Sequence, residues 1–226
     1  MDILSSDQVR QLLLFIPPFI LSLSFHEYAH AWVADKYGDS TARYLGRLTM
    51  DPMAHISWMG TVIIPAFAVL TGAPLFGWAN PVPVDARNFR KPRAHMAVVA
   101  AAGPISNFLV ATVCTALLAV LIHKAGVSVT SRRFIGGLIG PAIEMLVMAV
   151  QLNLFLAFFN LIPIPPLDGS RVVQGFMGHR MAEKFDTWSQ YGSWMLLILF
   201  FTGGLRVISY PVYMFMSFLF SAFGIS

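Results

Sequence analysis

The sequence predicts an all-α membrane protein that crosses the bilayer several times, through about five or six transmembrane helices. Of its 226 residues, 57% are hydrophobic and only 12% are charged, and the mean hydropathy is +0.68. A soluble domain averages about 25% charged residues, and several apolar runs here have the ~20 residues that a helix needs to cross a bilayer. The net charge of +4 is small, so it fits a lipid-embedded chain and indicates no nucleic-acid partner.

Five segments have the length and apolarity of full crossings, and they are residues 10–34, 94–123, 138–162, 188–204 and 206–223. A sixth apolar stretch, 58–78, is interrupted by Pro65, Gly72, Pro74 and Gly77. That content favours a broken or re-entrant backbone, which membrane depth tolerates only where protein or a wet cavity surrounds it.

The polar stretch 35–57 predicts a turn and then a short β strand at the membrane surface, around residues 46–50. We expect one domain over 1–226, with a core at about 10–175 and a C-terminal helix pair at 188–223. The N-terminal segment shows no small-residue cleavage site, so we interpret it as a retained first span and not as a signal peptide.

The first apolar run contains the motif HEYAH at 26–30. His26 and His30 are four residues apart, so they lie on one helix face and can bind one Zn²⁺, while Glu27 can act as a general base. Ionisable residues in a membrane segment are costly and therefore indicate function. The alternative is a pair of structural histidines in a helical bundle, which would leave Glu27 as a further buried group in need of a partner.

A catalytic zinc site takes a third protein ligand and keeps one position open for water. The best candidate is Asp168, because three prolines in the four positions 163–166 cannot continue a regular helix, and the unwound chain can point an aspartate into a cavity. The alternative is a surface turn with Asp168 as a solvated cap. His55 and His95 fit polar loop or interface positions better than ligand positions.

The ligands can meet only if the 10–34 and 138–162 spans run parallel. This requires an odd number of crossings between them, which 94–123 supplies, so 58–78 must enter and leave on the same side. Most of the lysines and arginines then lie on the side of 36–50 and 80–93, which the positive-inside rule makes cytoplasmic. We therefore expect an active site nearer the cytoplasm.

Three motifs together resemble the site-2 protease family of intramembrane zinc metalloproteases. They are FHEYAH at 25–30, AGPISNF at 102–108 and FNLIPIPPLDG at 159–169. GRLT at 46–49 and WANPVP at 78–83 extend the resemblance over about residues 20–175. Nothing between Asn107 and Asp168 is long enough for a PDZ-like domain, which takes on the order of a hundred residues. The chain is therefore similar to a compact member without that domain.

The resemblance implies a role for each matching residue. The zinc ligands would be His26, His30 and Asp168, which hold one Zn²⁺ per chain, and Glu27 would take a proton from zinc-bound water. Asn160 would help to hold the substrate backbone or the site, and Asn107 would lie in a helix that faces the catalytic core.

The predicted function is that of a zinc-dependent intramembrane endopeptidase in the plasma membrane of a prokaryote. Its partners would be the lipid bilayer and a transmembrane protein or peptide substrate, and the sequence predicts no oligomeric state. One alternative is a zinc or cation transporter, which would usually need further acids in the membrane, whereas Glu144 is the one other acid in a predicted span. The other alternative is a non-catalytic metal-binding membrane protein.

Overall fold

The computed structural model describes residues 6–71, 77–126 and 139–225, and these residues form helices and no β strand. The α-helices are α1 Ser6–Lys36, α2 Thr41–Tyr44, α3 Ile64–Thr71, α4 Pro92–Ala125, α5 Ile139–Asn160, α6 Asp168–Phe176, α7 His179–Ser189, α8 Gly192–Phe201 and α9 Arg206–Ala222. A π-helical turn, Trp58–Ile63, precedes α3, and short 3₁₀ turns occupy Pro52–Ala54 and Ala86–Asn88.

Three helices of the described chain are long and apolar enough to cross a membrane, namely Val9–Lys36 within α1, α4 and α5. Helix α4 packs against both of the others, and α1 also contacts α5. The buried face of α4 is rich in small residues, among them Ala100, Gly103 and Ala111. Small residues allow helix backbones to approach closely in lipid, where van der Waals packing drives association. The three helices therefore form the core that carries the site.

Helices α1 and α5 run parallel. Arg10 near the start of α1 donates to Glu144 near the start of α5 at 2.8 Å. Further along both helices, Asn153 of α5 donates to the hydroxyl of Ser22 in α1 at 2.7 Å. These contacts confirm the predicted parallel arrangement of the first and 138–162 spans.

Helix α4 runs in the opposite direction to α1. His26 contacts Asn107 of α4, while His30, one turn further along α1, contacts Val99, which comes earlier in α4. The two parallel helices are therefore separated along the chain by one antiparallel crossing, as the sequence argument requires.

The stretch 58–78 begins and ends at the same place in the molecule. The Trp78 N–H donates to the carbonyl of Gly60 at 3.2 Å, and the Thr61 hydroxyl donates to the carbonyl of Trp78 at 2.9 Å. Helix α3 has only 8 residues, and thus a length of about 12 Å against a hydrocarbon core of ~30 Å. Both observations support the expected re-entrant segment, although Gly72 and Pro74 lie outside the described residues.

The predicted count of five or six crossings is not confirmed in the C-terminal part of the described chain. The predicted span 188–204 contains α8 with only 10 residues, a length of about 15 Å. Helices α8 and α9 are bent by 80° at a short break, so they form one broken span or a re-entrant pair. Gly203 has φ +74° at this break, a left-handed conformation that glycine adopts without steric cost. The described chain therefore supplies three crossings, or four if the bent pair counts as one.

The predicted surface strand around 46–50 is also not formed. Gly46 turns the chain with φ +67°, and residues 47–50 follow as irregular chain with a bend at 48 and 49. The neighbouring segment 77–84 has no regular secondary structure and contains Pro81 and Pro83, which lack the N–H groups that a strand ladder needs. The Arg47 side chain binds the carbonyls of this segment instead, so no backbone ladder joins the two stretches.

Candidate active site

Three side chains from two distant parts of the chain converge in one buried cluster. The Nε2 atoms of His26 and His30 lie 3.1 Å apart, and Asp168 Oδ2 lies 3.2 and 3.3 Å from them. All three atoms fall within 4.8 Å of one another, and no other such group of metal-binding side chains occurs among the residues that the structure describes. The structure therefore brings together all three side chains that the sequence singled out as ligands.

The other ring nitrogen of each histidine is already committed. His30 Nδ1 lies 2.8 Å from the carbonyl of Val99, and His26 Nδ1 lies 2.6 Å from the side-chain oxygen of Asn107. An oxygen of either kind only accepts hydrogen bonds, so both Nδ1 atoms carry a proton, and in the neutral form of each ring the Nε2 atom then presents a lone pair.

With both rings neutral, the cluster is a set of three acceptors that face one another, namely Nε2 of each histidine and Oδ2 of Asp168. Asp168 Oδ2 is buried and makes no hydrogen bond. A buried acceptor without a partner is costly, and two imidazole nitrogens with one carboxylate oxygen are a donor set suited to Zn²⁺. The residues present thus fit a zinc ion and leave a coordination position open for water.

The local sequence explains how Asp168 reaches the histidines. Helix α5 ends at Asn160, and the proline-rich turn leads directly into α6, which begins at Asp168. At Gly169 a β-carbon would overlap with the backbone of Leu161, so the turn closes more tightly than a larger residue would allow. The tight return places the carboxylate against α1.

Gly103 has a similar function on the opposite side of the cluster. A β-carbon at this position would overlap with ring atoms of both His26 and His30. The absence of a side chain lets α4 lie directly against the two imidazole rings. The glycine of the AGPISNF motif is thus part of the construction of the site.

A cavity of about 550 Å³ opens beside the cluster and is lined by the three candidate ligands together with Glu27 and Asn160. Glu27 Oε2 accepts a hydrogen bond from the Val82 N–H at 2.7 Å. Asn160 borders the cavity, and its amide donates back to the Leu156 carbonyl of its own helix at 3.0 Å.

Asn107 does not line this cavity. Its side chain is fully buried behind His26, where it contacts the ring nitrogen that faces away from Asp168. His55 and His95 lie outside the cluster, since His55 contacts the Thr49 carbonyl at 2.9 Å and His95 packs against Tyr37. The candidate site residues therefore divide into a group at the cavity and one residue behind it.

The sequence argument missed two side chains and one backbone group. Asn153 and Ser22 are both buried and join Asn107 in a hydrogen-bonded chain, and the Val82 N–H holds Glu27. Asn153 had a detectable signal, because an amide in the middle of an apolar span is costly unless it has partners. Ser22 and the Val82 backbone had none.

A sequence model of Peptidase family M50 matches residues 14–200 of the chain. The chain belongs to peptidase family M50. The match includes every residue of the metal cluster as well as Glu27, Asn107 and Asn160.

Curated relatives agree with the M50 assignment. The chain is 40% identical to the candidate zinc metalloprotease YwhC of Bacillus subtilis over 183 residues, which cover 81% of this chain and 78% of that protein. It is 25% identical to Rip2 of Mycolicibacterium smegmatis over 90% of this chain and 74% of that protein. It is 30% identical to MJ0611 of Methanocaldococcus jannaschii over 66% of this chain and 63% of that protein. Both of these relatives are also named as candidate zinc metalloproteases.

No solved structure matches the chain. The M50 match and the zinc metalloprotease relatives confirm the predicted family and the predicted metal, zinc.

Proposed function

We propose that the protein is a zinc-dependent intramembrane endopeptidase, which hydrolyses peptide bonds in or near the transmembrane segments of other proteins. The observation that carries this proposal is the convergence of His26, His30 and Asp168 beside Glu27, in a cavity between helices of membrane-spanning length. Membership of M50 supports the peptidase activity.

In this proposal the three side chains of the cluster would hold the metal, through Nε2 of each histidine and Oδ2 of Asp168. When bound, zinc supplies a Lewis acid that polarises the scissile carbonyl and lowers the pKa of water. Glu27 accepts the proton of the attacking water and returns a proton to the leaving nitrogen. The hydrogen bond from Val82 occupies Oε2 and fixes the orientation of the carboxylate, so Oε1 remains for this transfer.

The substrate must unwind before it reacts, because a transmembrane helix has its backbone amides bonded internally. The segment 77–84, which belongs to no helix, borders the cavity and can offer backbone groups to an unwound chain. Asn160 lies on the same cavity and can bind the substrate backbone once its amide turns away from Leu156. Residues that weaken a helix should therefore favour cleavage at nearby positions of the substrate.

We place the protein in the plasma membrane of a prokaryote with the active site nearer the cytoplasm. The cluster lies toward the C-terminal end of α1, which is followed by the basic loop 36–50. The start of the antiparallel helix α4, which follows the basic stretch 80–93, lies at the same end of the bundle. An excess of lysine and arginine is typical of cytoplasmic loops.

Transport of a cation is less well supported. Glu144, the further acid of α5, pairs with Arg10 at 2.8 Å near the opposite end of the bundle. Glu144 is therefore committed to an ion pair and adds no free carboxylate in line with the cluster.

The test is cleavage of a transmembrane peptide by purified protein in proteoliposomes, before and after zinc is removed with a chelator. We expect cleavage to stop in the metal-free protein and to return on addition of Zn²⁺. A paired substrate in which a central leucine is replaced by glycine should be cut faster. Cleavage that persists without metal would contradict the proposal, and so would zinc-dependent cleavage of soluble peptides alone.

A further inference from the structure

Asn153 has a buried side-chain amide. Two successive hydrogen bonds, through Asn107, connect it to the candidate zinc ligand His26. The side chains of Asn153 and Asn107 are both 0% exposed. We propose that Asn153 is a positioning residue, which acts through Asn107 to hold His26 in the tautomer that binds metal. This inference rests on the zinc site of the proposed function.

These side chains form a continuous series of hydrogen bonds, in which the orientation of each amide determines the orientation of the next. Asn153 Nδ2 donates to the Ala149 carbonyl at 2.8 Å and to the Ser22 hydroxyl at 2.7 Å. Its Oδ1 therefore faces the other way and accepts from Asn107 Nδ2 at 2.8 Å. That contact turns Asn107 Oδ1 toward His26 Nδ1, at 2.6 Å.

The Ala149 carbonyl determines these orientations, because a backbone carbonyl accepts hydrogen bonds and never donates. It requires Asn153 to present its NH₂ group, and each following amide is then oriented by the one before it. The end of the chain is an oxygen at His26 Nδ1, so the proton sits on Nδ1 and the lone pair of Nε2 faces Asp168.

His30 does not need such a chain. Its Nδ1 lies against the Val99 carbonyl, which fixes the tautomer without an intermediate side chain. His26 instead contacts an amide, whose oxygen and NH₂ groups exchange places on a half rotation. The structure therefore makes His26 the histidine whose tautomer depends on a remote residue.

Loss of Asn153 would free Asn107 to rotate. Its remaining contact, from Nδ2 to the Ser22 carbonyl, is long at 3.4 Å. With the amide turned, the NH₂ group would face His26 Nδ1, and the proton would move to Nε2, where it blocks metal binding. Mutation of a group that orients a metal ligand typically lowers metal affinity by about 10- to 100-fold.

The first test measures the zinc dissociation constant of the purified, folded protein by competition with a chelator. Asn153→Leu retains the branched shape of the side chain and removes the hydrogen bonds. We expect it to weaken zinc binding by about 10- to 100-fold. Ser22→Ala is the matched control, since Asn153 keeps the Ala149 carbonyl and its orientation, and we expect a few-fold change at most.

The second test repeats Asn153→Leu in an Asn107→Asp background. There a carboxylate faces His26, and either of its oxygens can accept the hydrogen bond from the Nδ1–H of His26. We expect Asn153→Leu to cost no zinc affinity there, or to improve it, because Asn153 Oδ1 would otherwise face a carboxylate oxygen. A purely structural function for Asn153 predicts the same loss in both backgrounds, which would overturn the inference.

Two outcomes separate this inference from the proposed function. If the native protein binds no zinc, the proposed function fails. If the native protein binds zinc and Asn153→Leu binds it equally well, only the function of Asn153 is refuted. Should Asn153→Leu not fold, Asn153→Ala is measured in the same two backgrounds, with the same expected results.

Discussion

The geometry of the candidate zinc site depends on the absence of a side chain at Gly103. A β-carbon there would overlap with the rings of His26 and His30, which α1 holds in place. We predict that Gly103→Ala displaces an imidazole and removes zinc from the purified protein, as measured by elemental analysis. Gly178→Ala is the control, because no atom lies within 4 Å of its added carbon. Full zinc content in Gly103→Ala would show that the helices separate without harm to the site.

The sequence identifies the candidate metal ligands, but it does not identify the residues that orient them. The spacing of His26 and His30 places them on one helix face, and the prolines before Asp168 show where the chain must leave a helix. The orientation of each ring depends on what lies behind it in three dimensions. Asn153 is remote in sequence from His26, so no spacing rule connects the two.

The segment 77–84 connects the surface loops to Glu27, the proposed general base. Arg47 Nη2 donates to the carbonyls of Asn80 and Pro81, at 2.7 and 3.3 Å. The Pro81 carbonyl and the Val82 N–H belong to one peptide group, and that N–H holds Glu27 at 2.7 Å. Arg47 therefore orients Glu27 through a rigid, planar unit.

We predict that Arg47→Ala lowers kcat for peptide cleavage and leaves the zinc content unchanged. Misplacement of a catalytic group by about 1 Å can cost about 100-fold in rate. Arg43→Ala is the control, because Arg43 lies nearby but pairs with Asp35. Loss of zinc in Arg47→Ala, or an unchanged kcat, would refute this function of Arg47.

A second loop contact depends on pH. Asp39 is fully buried, and burial alone would raise the pKa of its carboxyl. Hydrogen bonds from the side chains of Thr41 and Asn88 and from the Asp85 backbone hold that pKa below its ordinary value instead. The carboxylate therefore joins the turn after α1 to the segment that follows Val84.

A pKa that is lower in the folded state means that ionised Asp39 stabilises the fold above its unfolded pKa of about 3.9. The contribution is lost as the pH falls through the folded pKa. We predict that Asp39→Asn destabilises the protein at pH 7 by about 1–3 kcal/mol, measured by thermal unfolding in detergent. The difference from the native protein should shrink at low pH. Asp51→Asn, at an exposed turn, is the control, and an equal effect there would count against the prediction.

Element prediction succeeded where a physical constraint was local and failed where it depended on neighbours. The proline and glycine content of 58–78 excluded a continuous helix, and the chain indeed returns to Gly60. The pattern around 46–50 suggested a strand, but a strand needs a partner with free N–H groups. Pro81 and Pro83 remove those groups from the adjacent segment, which inspection of 46–50 alone does not reveal.

The whole molecule is organised by the parallel pair α1 and α5 with α4 antiparallel between them in sequence. The parity argument anticipated this arrangement, because two ligands at one depth require parallel spans. The predicted number of crossings is not confirmed, since the apolar run 188–223 contains a glycine break and a bend of 80°. An apolar sequence indicates that a segment is buried in lipid or protein, but it does not indicate whether the segment crosses the membrane as one straight helix.

The topology predicts which introduced cysteines a thiol reagent can reach from the same side of the membrane. With Cys114→Ala as the background, we expect Tyr44→Cys and Arg90→Cys to react with an impermeant thiol reagent from the same side of sealed vesicles. Lys124→Cys, at the far end of α4, should react from the opposite side. All three positions are exposed in the structure. Labelling of positions 44 and 90 from opposite sides would refute the re-entrant path of 58–78 and the proposed depth of the site.

The most direct test of the central claim compares the native protein with Glu27→Gln for zinc content and for cleavage of a panel of membrane-spanning peptides. Glutamine retains the shape of the side chain but cannot accept the proton of water as a carboxylate does. We expect about one zinc per chain in both proteins, with cleavage by the native protein alone. A folded native protein without zinc would contradict the metal site, and undiminished cleavage by Glu27→Gln would contradict Glu27 as the base.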